Sequence, residues 1–278
     1  MILDGHIHVK SLQAAPKPLL ERMSRAGVDG GVVISAMPEN MEEHASPFEE
    51  RLEHILRFCR DEPFLFPFLF LNPTGENALE QIDRAVKDGI AGFKIICNRF
   101  YPGDPRCMEV YRHIAGYGKP ILLHSGILWD GRNPSGAYNR PVEFEPLLQV
   151  QGLRFALAHI SWPWCDECTA VYGKFCHARS TERDGAAQMF IDNTPGTPEI
   201  YRRDALAKLF GAGYDIGENL IFGTDNCAES YDEKWAKRWI ETDTRIYEEL
   251  GLSPKEINRI FSQNLFRFLQ GGQKEGKP

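Results

Sequence analysis

Short apolar runs alternate along the chain with longer segments in which apolar residues recur every three or four positions. The runs cover residues 2–9, 31–35, 65–71, 92–97, 120–124, 154–159, 188–193 and 219–224. Most are continuously apolar, as strands of a parallel sheet covered on both faces must be. The segments between them carry helical stripes, such as Leu52, Ile55 and Leu56, or Leu79, Ile82 and Val86. Ser46-Pro-Phe-Glu49 and Ser253-Pro-Lys-Glu256 predict capping boxes, and Thr197-Pro-Glu199 opens another helix. Gly27, Gly89 and Gly118 predict left-handed helix ends. Eight strand–helix units in 278 residues average about 35 residues each, which fits a closed α/β barrel of the (β/α)8 TIM type. Pro67 interrupts the third run, where its missing N–H predicts a bulge.

Composition narrows the picture to one catalytic-sized domain. With 42% hydrophobic residues and no Ser/Gly/Pro-rich linker, residues 1–270 read as a single domain, followed by a tail at 271–278. The net charge of −7 argues against nucleic acid or an anionic membrane as partner, since both require excess Lys and Arg. A small-molecule substrate is expected instead, and a homo-oligomer is left open. The first strand begins at residue 2 and no run approaches 18 apolar residues, so a cytoplasmic protein is expected. Seven cysteines, an odd number spread through a mid-sized chain, fit reduced thiols better than a disulfide framework.

The chemistry sits at the ends of the runs. His6 and His8 lie one residue apart in the first, and by strand alternation they face one way while Ile7 faces the other. Two imidazoles converging from one strand can grip one cation. Lys94, His124, His159 and Asp225 end, or nearly end, later runs. Their spacing, in steps of about 29 to 35 residues, assigns the set to strands one, four, five, six and eight of a barrel. Active sites of such barrels gather at the C-terminal ends of the strands.

Asp4-Gly-His-Ile-His8, Gly92-Phe-Lys94, Leu122-Leu-His124, Ala158-His159 and Gly223-Thr-Asp225, in that order and spacing, resemble the amidohydrolase superfamily, in its amidohydrolase-related (type 2) branch. The resemblance implies a distorted barrel and a metal-dependent hydrolase that uses a metal-activated water on an amide, ester or lactone. The same branch includes decarboxylases and hydratases of aromatic or unsaturated carboxylic acids. It implies His6, His8, His124 and Asp225 as metal ligands, with Asp225 also taking the proton of the attacking water. Three imidazoles and a carboxylate suit one Zn²⁺, with Mn²⁺ or Fe²⁺ as alternatives. His159 is expected to polarise a substrate carbonyl or to bind a second metal. Lys94 is expected to hold a substrate carboxylate or, if carbamylated as in binuclear relatives, to bridge two ions.

Other candidates follow from position alone. Asp4 is read as sharing a face with His6 and His8 and orienting an imidazole from below. Trp129 and Trp162, on the connections after strands five and six, can wall a planar ligand, and Arg99 and Arg140 can clamp a carboxylate. Cys165-x-x-Cys168 with Cys176 and His177 offers a second, structural zinc site, although adjacent third and fourth ligands make poor geometry. His44, His54 and His113 fall in helical or loop segments and are read as solvated.

Overall fold

A computed structural model describes residues 1–129, 131, 134–181 and 185–271; of the tail expected at 271–278, residues 272–278 lie outside the described residues. Strands β1 (Leu3–His8), β2 (Gly30–Ile34), β3 (Leu65–Phe70), β4 (Gly92–Ile95), β5 (Pro120–Leu123), β6 (Arg154–Leu157) and β7 (Gln188–Asp192) pair in sequence order, all parallel. The eighth position is filled by two short pieces. β8 (Leu220–Ile221) pairs with β7, and β9 (Asn226–Cys227) pairs with β1. Gly5 N donates to Phe222 O at 2.8 Å, so residues 220–227 close the sheet into a single (β/α)8 barrel whose last strand is broken in the middle. Helices α1 (Pro16–Ala26), α2 (Phe48–Cys59), α3 (Ala78–Lys87), α4 (Pro105–Gly116), α5 (Cys165–Thr181), α6 (Glu199–Gly211) and α7 (Glu233–Glu249) follow the strands outside. After β5 the return is made by two 3₁₀ segments, Gly136–Asn139 and Pro141–Gln149, in place of an α-helix. The last helices among the described residues are α8 (Pro254–Asn258) and α9 (Asn264–Gln270). Among the described residues no helix is long and apolar enough to cross a membrane.

Alternation along the strands sorts side chains into two cores. Val32, Ile34, Phe68, Phe70, Leu122, Ala156 and Phe190 fill the lumen, and α9 plugs its lower end with Leu265 and Phe268. Each large apolar side chain buried there contributes about 1.5–3 kcal/mol. Val33, Leu69, Phe93, Ile95, Ile121, Leu123, Phe155 and Ile191 face outward and pack on the helices. Lys94, His124 and Asp192 therefore fall on lumen-facing positions, one or two steps beyond Phe70-like residues of the same parity.

β1 departs from this rule. Leu3 faces the lumen but Ile7 faces the helices, because the register slips between Asp4 and Ile7. That bulge turns His6 and His8 inward and leaves Asp4 on the other side of the strand. The bulge expected at Pro67 is absent: Pro67 keeps regular register with Val33. β4 starts at Gly92, opposite Phe68, so the missing N–H falls where the neighbouring strand has not begun. Pro67 still accepts from Ala91 N through its carbonyl, at 2.8 Å.

The glycine-ended helices are as expected, with Gly27, Gly89 and Gly118 at φ of 79°, 102° and 62°. The capping box forms at Ser253 and Glu256. At the start of α2 it does not, since the helix begins at Phe48 with Pro47 as its cap. His54, read as solvated, is buried, with Nε2 3.0 Å from the carbonyl of Ala14.

Candidate metal centre

Three donor atoms converge at the upper end of the lumen. His6 Nε2 and His8 Nε2 lie 3.0 Å apart, and Asp225 Oδ1 lies 3.6 and 3.5 Å from them. A point equidistant from the three is about 2 Å from each, the length of a metal–nitrogen or metal–oxygen bond. Among the described residues no other set of His, Cys, Asp or Glu brings three donors so close. Asp225 reaches this place because the broken eighth strand turns there through a left-handed residue, with φ of 56° at Asp225 itself. Burial holds the pKa values of His6 and His8 well below the usual imidazole value, with Lys94 and His159 adding repulsion. Both rings are thus neutral and free to give a lone pair.

His124, the fourth expected ligand, is not brought to that triangle. The four imidazoles form a row. Ring centres are 4.9 Å apart from His8 to His6, 5.5 Å from His6 to His159 and 5.0 Å from His159 to His124. His159 lies between His6 and His124 in this row. Its Nε2 is buried and makes no hydrogen bond among the described residues.

His159 is held by an unusual backbone. His159, Ile160 and Ser161 have φ of 65°, 48° and 57°, three consecutive residues in a region that side chains other than glycine rarely adopt. The Thr194 hydroxyl lies 2.8 Å from His159 Nδ1. Gly196 leaves no room for a side chain, because a Cβ there would sit 2.6 Å from His159 Cβ. With Nδ1 committed to Thr194, Nε2 is the nitrogen His159 can offer a substrate. Burial lowers the pKa of this ring to about 4.

Lys94 is 1% exposed, and its ammonium makes no hydrogen bond among the described residues. Burial lowers its pKa to about 8, against the attraction of Asp192 and Asp225. Asp225, although 39% exposed toward the opening, is pushed up to about 7 by the surrounding protein, against the pull of Lys94.

Asp192, absent from the candidates read in the sequence, holds the His6 imidazole. Its Oδ2 is 2.6 Å from His6 Nδ1, and both side chains are buried. A carboxylate there accepts the Nδ1 proton and leaves Nε2 bare toward the triangle. The signal was present, since Asp192 ends the run Gln188-Met-Phe-Ile-Asp192 as His124 and Asp225 end theirs. Asp4, the residue expected to orient an imidazole, touches none. Its Oδ1 accepts from the backbone N–H of His6 (3.1 Å) and Thr224 (2.9 Å), and its Oδ2 from the hydroxyls of Thr224 (2.5 Å) and Tyr231 (3.0 Å). The bulge in β1 puts it outside the lumen, where it stitches the first strand to the last.

The remaining candidates disperse. Arg140 is occupied by Glu167, at 2.7 and 3.1 Å, and lies 5.5 Å from the Trp164 ring centre, so it is no free carboxylate clamp. Arg99 is exposed in a surface groove with Tyr101 and Glu143 and contributes nothing to the triangle. Trp129 is 77% exposed and forms an aromatic row with Trp162 and Tyr201, ring centres 6.3 Å apart at each step. The second zinc site does not form. Cys165 and Cys176 are eleven residues apart on α5, about 16 Å along the axis. Cys168 points into the core, and His177 is exposed. All seven cysteines are free.

Residues 6–269 match the model of the amidohydrolase family. The chain belongs to that family. No curated protein matches it in sequence. Solved structures show the fold of this amidohydrolase at low identity. An uncharacterised TIM-barrel protein from Bordetella bronchiseptica is 15% identical at a TM-score of 0.72, covering 96% of this chain and 98% of its own. A probable 2-pyrone-4,6-dicarboxylic acid hydrolase from Acinetobacter baumannii is 15% identical at 0.62, covering 98% and 99%. A dihydroxybenzoic acid decarboxylase from Polaromonas, with bound manganese, is 14% identical at 0.61, covering 96% of each chain.

Proposed function

We propose that this amidohydrolase is a divalent-metal-dependent hydrolase that opens an ester, lactone or amide in a small substrate carrying a carboxylate. The observation that carries the reading is two unmatched features in one barrel mouth: a triangle of donors sized for a cation, and a buried Lys94 ammonium that makes no hydrogen bond among the described residues. Zn²⁺ suits two imidazoles and a carboxylate, and the manganese in the Polaromonas neighbour supports Mn²⁺ as the alternative. A cation held by His6, His8 and Asp225 would supply Lewis acidity and bring the pKa of a water from 15.7 toward about 7. His124 lies outside the triangle and is a second group, with Lys94, that a ligand entering the lumen would satisfy.

The chain's own residues divide the remaining work. Lys94 binds the substrate carboxylate, since a buried charge is stabilised chiefly by an opposite one. When the Thr194 hydroxyl donates to Nδ1 of His159, the ring proton sits on Nε2, and His159 presents a donor to the carbonyl under attack. Asp225, at the open side of the triangle, takes the proton of the attacking water and returns it to the leaving group. Free thiols throughout the chain support a reducing, cytoplasmic setting.

A second reading, non-oxidative decarboxylation or hydration of an aromatic or unsaturated acid, has its own support in the aromatic row Trp129–Trp162–Tyr201. One experiment separates them. Enzyme reconstituted with Zn²⁺ or Mn²⁺ is offered carboxylated lactones and esters, and aromatic acids, with ring opening followed by acid release and decarboxylation by CO₂. Metal-dependent hydrolysis, with KM for the carboxylated substrate raised in Lys94→Met, is the expected result. Release of CO₂ without hydrolysis moves the assignment to the second reading. A Lys94→Met enzyme with unchanged KM removes the substrate carboxylate from the scheme.

A further inference from the structure

Behind the tip of β7 lies a buried polar cluster that the chemistry above does not use. Arg202 of α6 and Asp243 of α7 are both fully buried and paired twice, Nε to Oδ1 at 2.9 Å and Nη2 to Oδ2 at 2.7 Å. Nη2 of Arg202 also donates to Oδ1 of Asn193. Nδ2 of Asn193 donates to Asp243 Oδ2 at 3.2 Å and to the Tyr247 hydroxyl at 2.6 Å. The guanidinium rests 4.9 Å from the ring centre of Trp239. Every polar atom of the Asn193 side chain is thus gripped from the helical layer.

Asn193 is the residue after Asp192, and successive side chains at a strand end face opposite ways. Asp192 points into the lumen and holds His6 Nδ1, while Asn193 points outward into the cluster. The sheet pairing here is short, since β8 is two residues long and its pairing with β7 ends at Asp192 and Ile221. Beyond it one backbone bond, Asn193 N to Ile221 O at 2.8 Å, and the Thr194 N–H on Asp192 Oδ1 at 2.7 Å hold this turn locally, while the outward side chain of Asn193 is held, among the described residues, by the cluster alone. Energetics also sets the cluster apart from ordinary core. A buried ion pair rarely adds stability over apolar side chains of the same volume, so its best-attested use is to fix one geometry.

We propose that Arg202, Asp243 and Asn193 form a positioning clamp for the metal centre. Gripping Asn193 from outside fixes the end of β7, so that Asp192 stands where it accepts the Nδ1 proton of His6 and aims Nε2 at the cation. The inference rests on the metal-centre reading above and extends the machinery by one layer, to residues on α6 and α7 that touch neither cation nor substrate.

The test uses the full chain in two variants. Arg202→Met/Asp243→Leu replaces the pair by apolar side chains of similar volume, and Asn193→Ala removes the grip while leaving the pair intact. Two quantities are read: Zn²⁺ affinity by competition with a chromophoric chelator, and the His6 Nδ1–H resonance in ¹⁵N-histidine-labelled, metal-free protein. The clamp predicts folded variants whose Zn²⁺ affinity falls about tenfold and whose Nδ1–H signal loses its downfield position and its protection from exchange. Unchanged affinity and an unchanged resonance in a folded variant would overturn it. If the double variant does not fold, Asn193→Ala alone decides on the same two readouts. Wild-type protein that binds no Zn²⁺ would defeat the metal-centre reading, whereas the His6 resonance, read without metal, still decides the clamp.

Discussion

At the scale of single residues, two carboxylates that look alike in sequence have different work, and substitution separates them. Asp192→Asn removes the charge that fixes the His6 tautomer, and Zn²⁺ affinity is expected to fall about 10–100-fold. Asp4→Asn leaves every imidazole contact in place but confronts donors of Thr224 and Tyr231 with an amide. It is expected to cost about 1–3 kcal/mol of stability with Zn²⁺ affinity nearly unchanged. Chelator competition and urea unfolding measure the two losses, and a large drop in affinity for Asp4→Asn would return that residue to the role its position in β1 first suggested. Lys94 gives a pH signature in the metal-free protein. Its folded pKa of about 8 lies below its ordinary 10.5, so between those values the unfolded chain holds a proton the folded chain has released. Stability therefore rises with pH across that window, and below pH 8 the buried ammonium imposes its full penalty, on the order of 3 kcal/mol. Lys94→Met should stabilise the metal-free protein at pH 7 and abolish the rise between pH 8 and 10.5. An equal slope in both proteins would show that another group carries it.

At the scale of elements, the loop from Asn193 to Pro198 is built to hold His159. Thr194 binds its Nδ1, Thr197 its carbonyl at 3.2 Å, and Gly196 lies flat against its Cβ. Gly196→Ala would force the ring away from a Cβ at 2.6 Å, into a backbone already held left-handed. The expected result is a loss of about 10–100-fold in kcat with Zn²⁺ content unchanged, since ångström-scale misplacement is enough; full activity in that variant would exclude His159 from the reaction. The same elements explain what the sequence disclosed. Continuous apolar runs located β1 to β8, because both faces of each are covered, but not β9 at Asn226–Cys227, and the ends of the runs marked Lys94, which faces the lumen. Parity failed at Asp4, since a bulge is a single inserted residue with no compositional mark. Asp192 obeys the run-end rule that marks His124, and it faces the lumen at the parity of Phe190. The interposition of His159 between His6 and His124 depends on three left-handed residues that lack the glycines by which such turns are recognised. Cys165-x-x-Cys168 has the spacing of half a knuckle, but α5 spreads Cys165 and Cys176 along its axis.

At the scale of the whole molecule, the donors come from the first and last strands, the two edges of the sheet that meet at the barrel's seam. His6 and His8 lie on β1, and Asp225 lies in the break between β8 and β9, the last piece of sheet to be laid down and the one that closes it. Backbone bonds hold this seam over few residues: β9 pairs with β1 only at Ile7 and His8, and Gly5 adds one bond to Phe222. A cation binding only the folded arrangement therefore adds its binding free energy to closure of the barrel. At a hundred times its Kd, Zn²⁺ should contribute about 2.7 kcal/mol and raise Tm by about 5 °C. Calorimetry across a series of Zn²⁺ concentrations measures this, and a chelator should reverse it. Asp225→Asn should lose most of the gain while keeping the metal-free Tm close to wild type, since Asp225 makes no fold-building hydrogen bond among the described residues. Hydrogen exchange adds the location. Slowing on metal binding should concentrate in β1 and β9 and leave β4 to β6 unchanged, because only the seam gains a tie. A Tm indifferent to both Zn²⁺ and chelator would mean that the triangle of His6, His8 and Asp225 holds no cation in solution.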